Sequence, residues 1–222
     1  MDKIEKEIRD LLKTNINTVH TAEAGTTATN ITITNHGLST GEFIQNVTRS
    51  AVLEITVVDA NNFTVVSTTG QTVGDSITFL RFKKYYVGQV DAFPLEYLPC
   101  LCLYGKSTDM RALSSNTDMW AMSIVIEAYI DAFSKVSLSD VSDNDDILRA
   151  QQTLKQLMEQ RDANGIALPN TVLGVLRRNI LGSNYLYSNA ISIQYSKHVI
   201  KNKVYFKAIM ELKAVTKFSL RK

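Results

Sequence analysis

Between Thr21 and Leu80 the chain carries one basic residue, Arg49, against five acids: Glu23, Glu42, Glu54, Asp59 and Asp75. The same stretch has no lysine, proline or cysteine and is crowded with Thr, Val, Ile and Asn, which favour strands and turns. One base less five acids gives it −4. The other 162 residues hold 23 bases and 17 acids, or +6, which restores the overall +2. A shift of composition this sharp marks a domain boundary. It predicts an inserted β domain over 21–83 inside a discontinuous core made of 1–20 and 84–222.

Within the insert, Thr29–Thr34 alternates polar and apolar residues and stops at Asn35-His36-Gly37. Further strands are expected over Glu42–Val47, Val52–Val58, Phe63–Ser67 and Ile77–Leu80, separated by turns rich in Gly and Asn. Short strands at this spacing, with no helical period between them, predict a small all-β barrel or sandwich.

The flanks have a different rhythm. Ile4, Ile8, Leu11 and Leu12 form one helical stripe, opposite Glu5, Lys6, Arg9 and Lys13. Tyr85–Val87, Leu98–Tyr104 and Trp120–Tyr129 read as strands, the last apolar enough to be central and covered on parts of both faces. A second helix is expected after Ser142 or Asp143. Asp145 and Asp146 would lie at its positive end, Ile147, Leu148, Gln151, Leu154, Leu157 and Met158 would face inward, and Asn164-Gly165 would end it. Pro169-Asn170-Thr171 opens a short third helix through Val172, Val175, Leu176 and Ile180. Two long strands close the chain, Asn189–Ile200 and Val204–Ser219. On the second, Val204, Phe206, Ala208, Met210, Leu212, Ala214 and Phe218 share one face. Lys203, Tyr205, Lys207, Ile209, Glu211, Lys213, Val215 and Lys217 share the other. The fold class expected is α+β: a mainly antiparallel sheet with two or three helices packed on it, plus the inserted β domain.

Reactive groups do not converge in this pattern. There is no Gly-rich phosphate loop and no Gly-x-Ser-x-Gly elbow. Cys100 and Cys102 lie two apart on a strand, on one face, where a bridge would be strained, so they read as buried thiols. His20, His36 and His198 lack ligand spacing, His36 reading as a turn residue. Asp143, Asp145 and Asp146 lack the Gly and terminal Glu of a calcium loop. No catalytic, cofactor-binding or metal site is therefore expected, and no enzyme. No apolar stretch is long enough to span a membrane, and Met1–Glu7 is charged and helical rather than a signal peptide, so a soluble protein, intracellular when made, is expected.

Residues 197–222 hold eight bases, Lys197, Lys201, Lys203, Lys207, Lys213, Lys217, Arg221 and Lys222, against Glu211 alone. Three readings stay open: a solvated strand face that guards a sheet edge, a contact with an acidic neighbouring subunit, or a nucleic-acid stripe.

The order of elements carries a resemblance. It begins with the helix Ile4–Lys13 and continues with Phe93-Pro94-Leu95-Glu96-Tyr97-Leu98-Pro99-Cys100-Leu101-Cys102-Leu103. The apolar Ile124-Val125-Ile126, the helix Leu148–Met158 and the closing hairpin follow. Over 1–20 and 84–222 this resembles the tail terminator (tail-completion) family of long-tailed bacteriophages. The insert, with His36-Gly37-Leu38-Ser39-Thr40-Gly41-Glu42-Phe43-Ile44 and Asn61-Asn62-Phe63-Thr64-Val65, is similar to a small β module of phage tail and fibre proteins. Family members usually lack such an insert. The resemblance implies a structural virion protein of the head-proximal neck, assembled in the host cytoplasm. It would form a homohexameric ring that stops growth of the tail tube and docks to neck or head-completion proteins. DNA would pass through the ring without specific binding, and no membrane would be involved. The lysine face of the last strand would lie at a subunit contact or against the tube. Alternatives are another neck component, adaptor or stopper, between portal and tail, or a carbohydrate-binding module whose platform would have to use Phe43, Phe63 or Phe79.

Overall fold

The structure, a computed structural model, describes residues 2–38, 40–66, 70–90, 97–114, 117–132, 146–178, 186–187, 191–200 and 203–219. It is an α+β protein; the described residues form two six-stranded sheets and three helices.

The helix α1 (Asp2–Ile16) leads into β1 (Thr18–Thr21), which opens the first sheet. That sheet continues with β2 (Asn30–Thr32), β3 (Phe43–Asn46), β4 (Ala51–Val57), β5 (Asn62–Val65) and β6 (Ser76–Leu80), in the order β1-β6-β3-β4-β5-β2. β4 bends, giving residues 51–54 to β3 and 55–57 to β5. The two ends of the sheet then meet. Glu23 N donates to Thr32 O at 2.8 Å, and the Glu23 carboxylate accepts from the Thr34 amide and hydroxyl. The result is a small barrel filled by Ile31, Ile44, Ile55, Phe63, Ile77 and Phe79, the apolar halves of the alternating strands. The sheet starts at Thr18, because β1 pairs with β6 from Thr18↔Phe79 to Thr21↔Ser76. β1 went unread because its four residues are too short for a period of two to show.

One polar cluster pins the barrel's loops. Asp75 is buried and accepts from Arg49 Nε at 2.9 Å, Asn46 Nδ2 at 2.8 Å and the Thr72 amide and hydroxyl. Burial alone would raise its pKa, but the bonds from Arg49, Asn46 and Thr72 outweigh it and hold the carboxyl at about 2. Because the folded value lies below the unfolded 3.8, this stabilisation is complete above pH 4 and is lost as pH falls toward 2. Asp75→Asn is expected to cost about 2 kcal/mol at neutral pH. The gap between wild type and variant should then close between pH 4 and 2 in urea melts of the whole chain. A gap independent of pH would contradict the ionised network.

The second sheet uses β7 (Lys84–Val87), β8 (Cys100–Ser114), β9 (Thr117–Asp131), β10 (Leu186–Tyr187), β11 (Ser192–Ile200) and β12 (Lys203–Ser219). Its order is β7-β8-β9-β12, with β10 and β11 both paired to the far edge of β12. Among the described strand pairs, β7–β8 alone is parallel. One face carries the helices: α1 lies over β7 and β8, and α2 (Asp146–Glu159) over β9 and β12. The short α3 (Val172–Arg178) packs against both helices. Ile4, Ile8, Leu12 and Ile16 of α1 are buried there with Ile124, Ile126, Phe206, Met210 and Leu157, each such side chain stabilising by roughly 1.5–3 kcal/mol.

Three details depart from expectation. Glu5, on the polar side of the α1 stripe, is buried and accepts the Gly105 amide, where β8 bulges against β9. In α2 the buried positions are Ala150, Thr153, Leu154, Leu157 and Met158, while Leu148 and Gln151 are exposed. The helix also stops at Glu159. Asn164-Gly165 is the turn of a tight loop closed by the Arg161↔Ala167 bridge, with Gly165 at φ 77°. The helix-capping role expected of Ser142, Asp143 and Asp145 lies outside the described residues, as does Ile180. The third helix opens after Pro169-Asn170-Thr171 as the sequence suggests, and Thr171 caps it, its Oγ1 accepting the Gly174 amide at 3.0 Å.

Candidate functional site

The face of the second sheet away from the helices is where the basic strand displays its side chains. Strand register sets what meets there. Lys207 of β12 lies opposite Tyr129 of β9, which lies opposite Cys100 of β8; Ile209 lies opposite Glu127, which lies opposite Cys102. Leu98, Cys100, Cys102, Tyr129 and Tyr205 form a second, smaller apolar cluster on this side.

At its centre Glu127 accepts three bonds: from Lys207 Nζ at 2.6 Å, Tyr129 OH at 2.7 Å and Tyr104 OH at 2.9 Å. Burial pushes the Glu127 carboxyl up, but these donors outweigh it and the net displacement is downward. Burial and the bond to Glu127 push the Tyr104 hydroxyl up to about 12. The Lys207 ammonium, only 16% exposed, also lies 5.3 Å from the Tyr129 ring centroid. Lys207 is therefore part of an internal network rather than of a free cationic surface. Lys203 and Lys213 remain exposed, and Glu211 is paired with Lys106 at 2.8 Å.

The eight bases of the tail do not form one stripe. Lys197 pairs in register with Phe206 and so points to the helix side, opposite to Lys203, Lys207 and Lys213. Side chains of Lys201, Lys217, Arg221 and Lys222 lie outside the described residues. Neutralising a regular run of phosphates needs cations on one face, and this arrangement splits them.

The other candidate residues are engaged separately. Cys100 and Cys102 are buried free thiols, and a hydrogen bond with Cys102 together with burial pushes the Cys100 thiol up, away from the reactive thiolate. His36 holds its turn: Nδ1 accepts the Leu38 amide, Nε2 bonds Asp59 O, both at 2.9 Å, and the ring stands edge-on to Phe63. His20 stacks on Phe79 at 4.0 Å. Phe63 and Phe79 are buried in the barrel, and Phe43 is covered by the Lys83 ammonium 3.3 Å from its ring centroid. Among the described residues no three His, Cys, Asp or Glu side chains converge as metal ligands. No described helix is long and apolar enough to cross a membrane.

Glu127, Tyr104 and Tyr129 were not singled out by sequence. The available signal was Glu127 itself, a lone acid in the apolar run Trp120–Tyr129, which requires a buried partner. The partner, Lys207, lies eighty residues away and was legible only as one of several lysines.

The sequence matches no family model and no curated protein.

Proposed function

We propose that this chain is a structural virion protein that forms a ring at the head-proximal end of a bacteriophage tail tube, ending tube growth and offering the docking surface for head–tail joining. The reading rests on the resemblance in the order of elements. The observation that carries it beyond the sequence is the shape of the second sheet.

Past the last described buried residues, Met122 and Ala214, β9 and β12 keep pairing from Ala121↔Val215 to Thr117↔Ser219. β8 accompanies them to Ser114↔Thr117. At about 3.3 Å per residue this three-stranded ribbon runs on for about 15 Å. On β8, four consecutive residues beside the start of the ribbon, Lys106, Ser107, Thr108 and Asp109, are exposed. At the other side of the sheet β11 is exposed over Ser192 and Gln194–Val199, with Val199 58% accessible. A ribbon on one side and an unlike open edge on the other suit a head-to-tail contact, which closes into a ring when the rotation between copies is right. The carbohydrate-binding alternative is disfavoured by the burial of Phe63 and Phe79 and the covering of Phe43.

Six copies of this 24.8 kDa chain make a ring of about 150 kDa. Sedimentation and negative-stain images are expected to show that ring, either free or on the ends of added tail tubes. A stable dimer that ignores tube ends would overturn the reading, and capture by portal complex instead of tube would favour the adaptor or stopper. Charge reversal belongs at Lys203 and Lys213: reversing Lys207 would break the Glu127 network and report on folding instead.

A further inference from the structure

Between α2 and the β11–β12 hairpin lies a groove of about 340 Å³, with Leu154 and Phe206 buried beneath it and Leu148, Tyr195, Lys155 and Lys197 exposed around it. We propose that this groove docks the acidic barrel of a second copy of the chain, joining copies head to tail. The inference rests on the ring reading and names two surfaces that would meet in it.

The groove is apolar and basic. Tyr195, Lys197 and Val199 stand at alternate positions of β11, all exposed, and their pairing with Ala208, Phe206 and Val204 places them on the helix side of the sheet. Among the described residues no carboxylate lines the groove. Its third lysine, Lys207, is committed to Glu127, and Glu159, which accepts the Tyr195 hydroxyl at 2.8 Å, lies outside the lining. Lys155 and Lys197 form no ion pair among the described residues.

The barrel offers the opposite sign. Glu42 and Asp75 are buried against Arg81 and Arg49, which uses the one base of the 21–80 stretch. The exposed charges left are Glu23, Glu54 and Asp59. Glu23 and Asp59 belong to one hydrogen-bonded surface: the Thr34 hydroxyl donates to Glu23, the Asn35 amide to Asn61 Oδ1, and the Asn61 amide to Asp59 Oδ1. The Thr34 hydroxyl holds the Glu23 carboxyl below its ordinary range, and the Asn61 amide does the same for Asp59. Val58, exposed beside Asp59, gives this patch an apolar anchor.

Placement decides which copy supplies the barrel. The crossings at residue 17 and at 81–83 join it beside α1 and β7. Arg81 Nη1 bonds Glu42 at 2.9 Å there, and Lys83 Nζ lies 3.3 Å from the Phe43 ring centroid, so the barrel is clamped to that edge. β11 lies at the other edge, four strand spacings or about 19 Å away. A barrel fixed at one edge and a groove of opposite charge at the other form a heterologous pair, which repeats from copy to copy.

The test uses the full chain. Val58→Cys combined with Gln151→Cys, both exposed positions, should give a ladder of covalent multimers on non-reducing gels after treatment with diamide, which neither single variant gives. Cys100 and Cys102 are buried and do not compete. Lys155→Glu with Lys197→Glu should weaken self-association about tenfold in sedimentation at low salt, with unchanged melting temperature. Absence of the ladder, or association unaltered in the charge variant, would overturn this contact; if rings still form, the ring reading stands. A ladder of open chains that never close would keep the contact and overturn the ring. No self-association of the wild type, either free or on tube ends, would overturn both.

Discussion

Gly174→Ala is expected to destabilise the protein by on the order of 4 kcal/mol or more, although helix propensity by itself favours alanine by about 1 kcal/mol. The reason is position, since Gly174 does not need an unusual backbone angle. A Cβ there would stand 1.8 Å from Leu168 O and 2.9 Å from Thr171 Oγ1. The carbonyl cannot withdraw cheaply. It accepts the Thr171 amide at 3.2 Å and the Thr171 hydroxyl at 2.8 Å, and Leu168 N is tied to Gln160 O at 2.8 Å. α3 would have to move away from α1 and α2, exposing Val172, Leu173, Val175 and Leu176. Thr171→Ala provides the scale, since it removes the cap and the hydroxyl's bond to Leu168 O but adds no clash, and should cost about 1–2 kcal/mol. Urea denaturation of the two variants at equal protein concentration decides the matter. If Gly174→Ala were neutral or stabilising, α3 does not seat against the Leu168 turn as described.

Glu127→Ala should cost about 3–5 kcal/mol, because it strands the Lys207 ammonium and removes the acceptor of two tyrosine hydroxyls. The penalty comes from the partner left behind. Replacing both members, Glu127→Leu with Lys207→Met, is therefore expected to recover most of the loss, short of what the Tyr104 and Tyr129 hydroxyls still lack. The Glu127 pKa is displaced downward, so its contribution is present above the ordinary carboxylate range and is lost on acidification below it. Equal loss in the single and double variants would mean that packing, not charge pairing, holds this face together.

These two positions show where sequence reasoning stops. The stripe Ile4, Ile8, Leu12 and the two-residue alternation of β12 were legible because burial repeats at the period of the element. The barrel strands were legible from their turns, with Gly37 at φ 61° and Gly41 at φ 90° where the sequence marked stops. Glu5, Leu148 and Gln151 were misplaced because a helical wheel assumes one flat neighbour, whereas α1 meets the bulge of β8 and α2 packs on β9, β12 and α3 together. For the candidate site, Glu127 was visible only as a lone acid in an apolar run and Lys207 only as one of several lysines, because their pairing is set by strand register.

By itself, then, the sequence determined the division into an acidic, Thr-rich β part and a basic α+β part, the class of each, and most core faces, since these follow from local composition and periodicity. Only the tertiary structure decided that Lys207 is an internal partner of Glu127 and that the tail's bases fall on opposite faces. It alone decided that Gly174 must lack a side chain. Each of these depends on which distant segments lie side by side, and strand register and helix packing set that over separations no local pattern encodes.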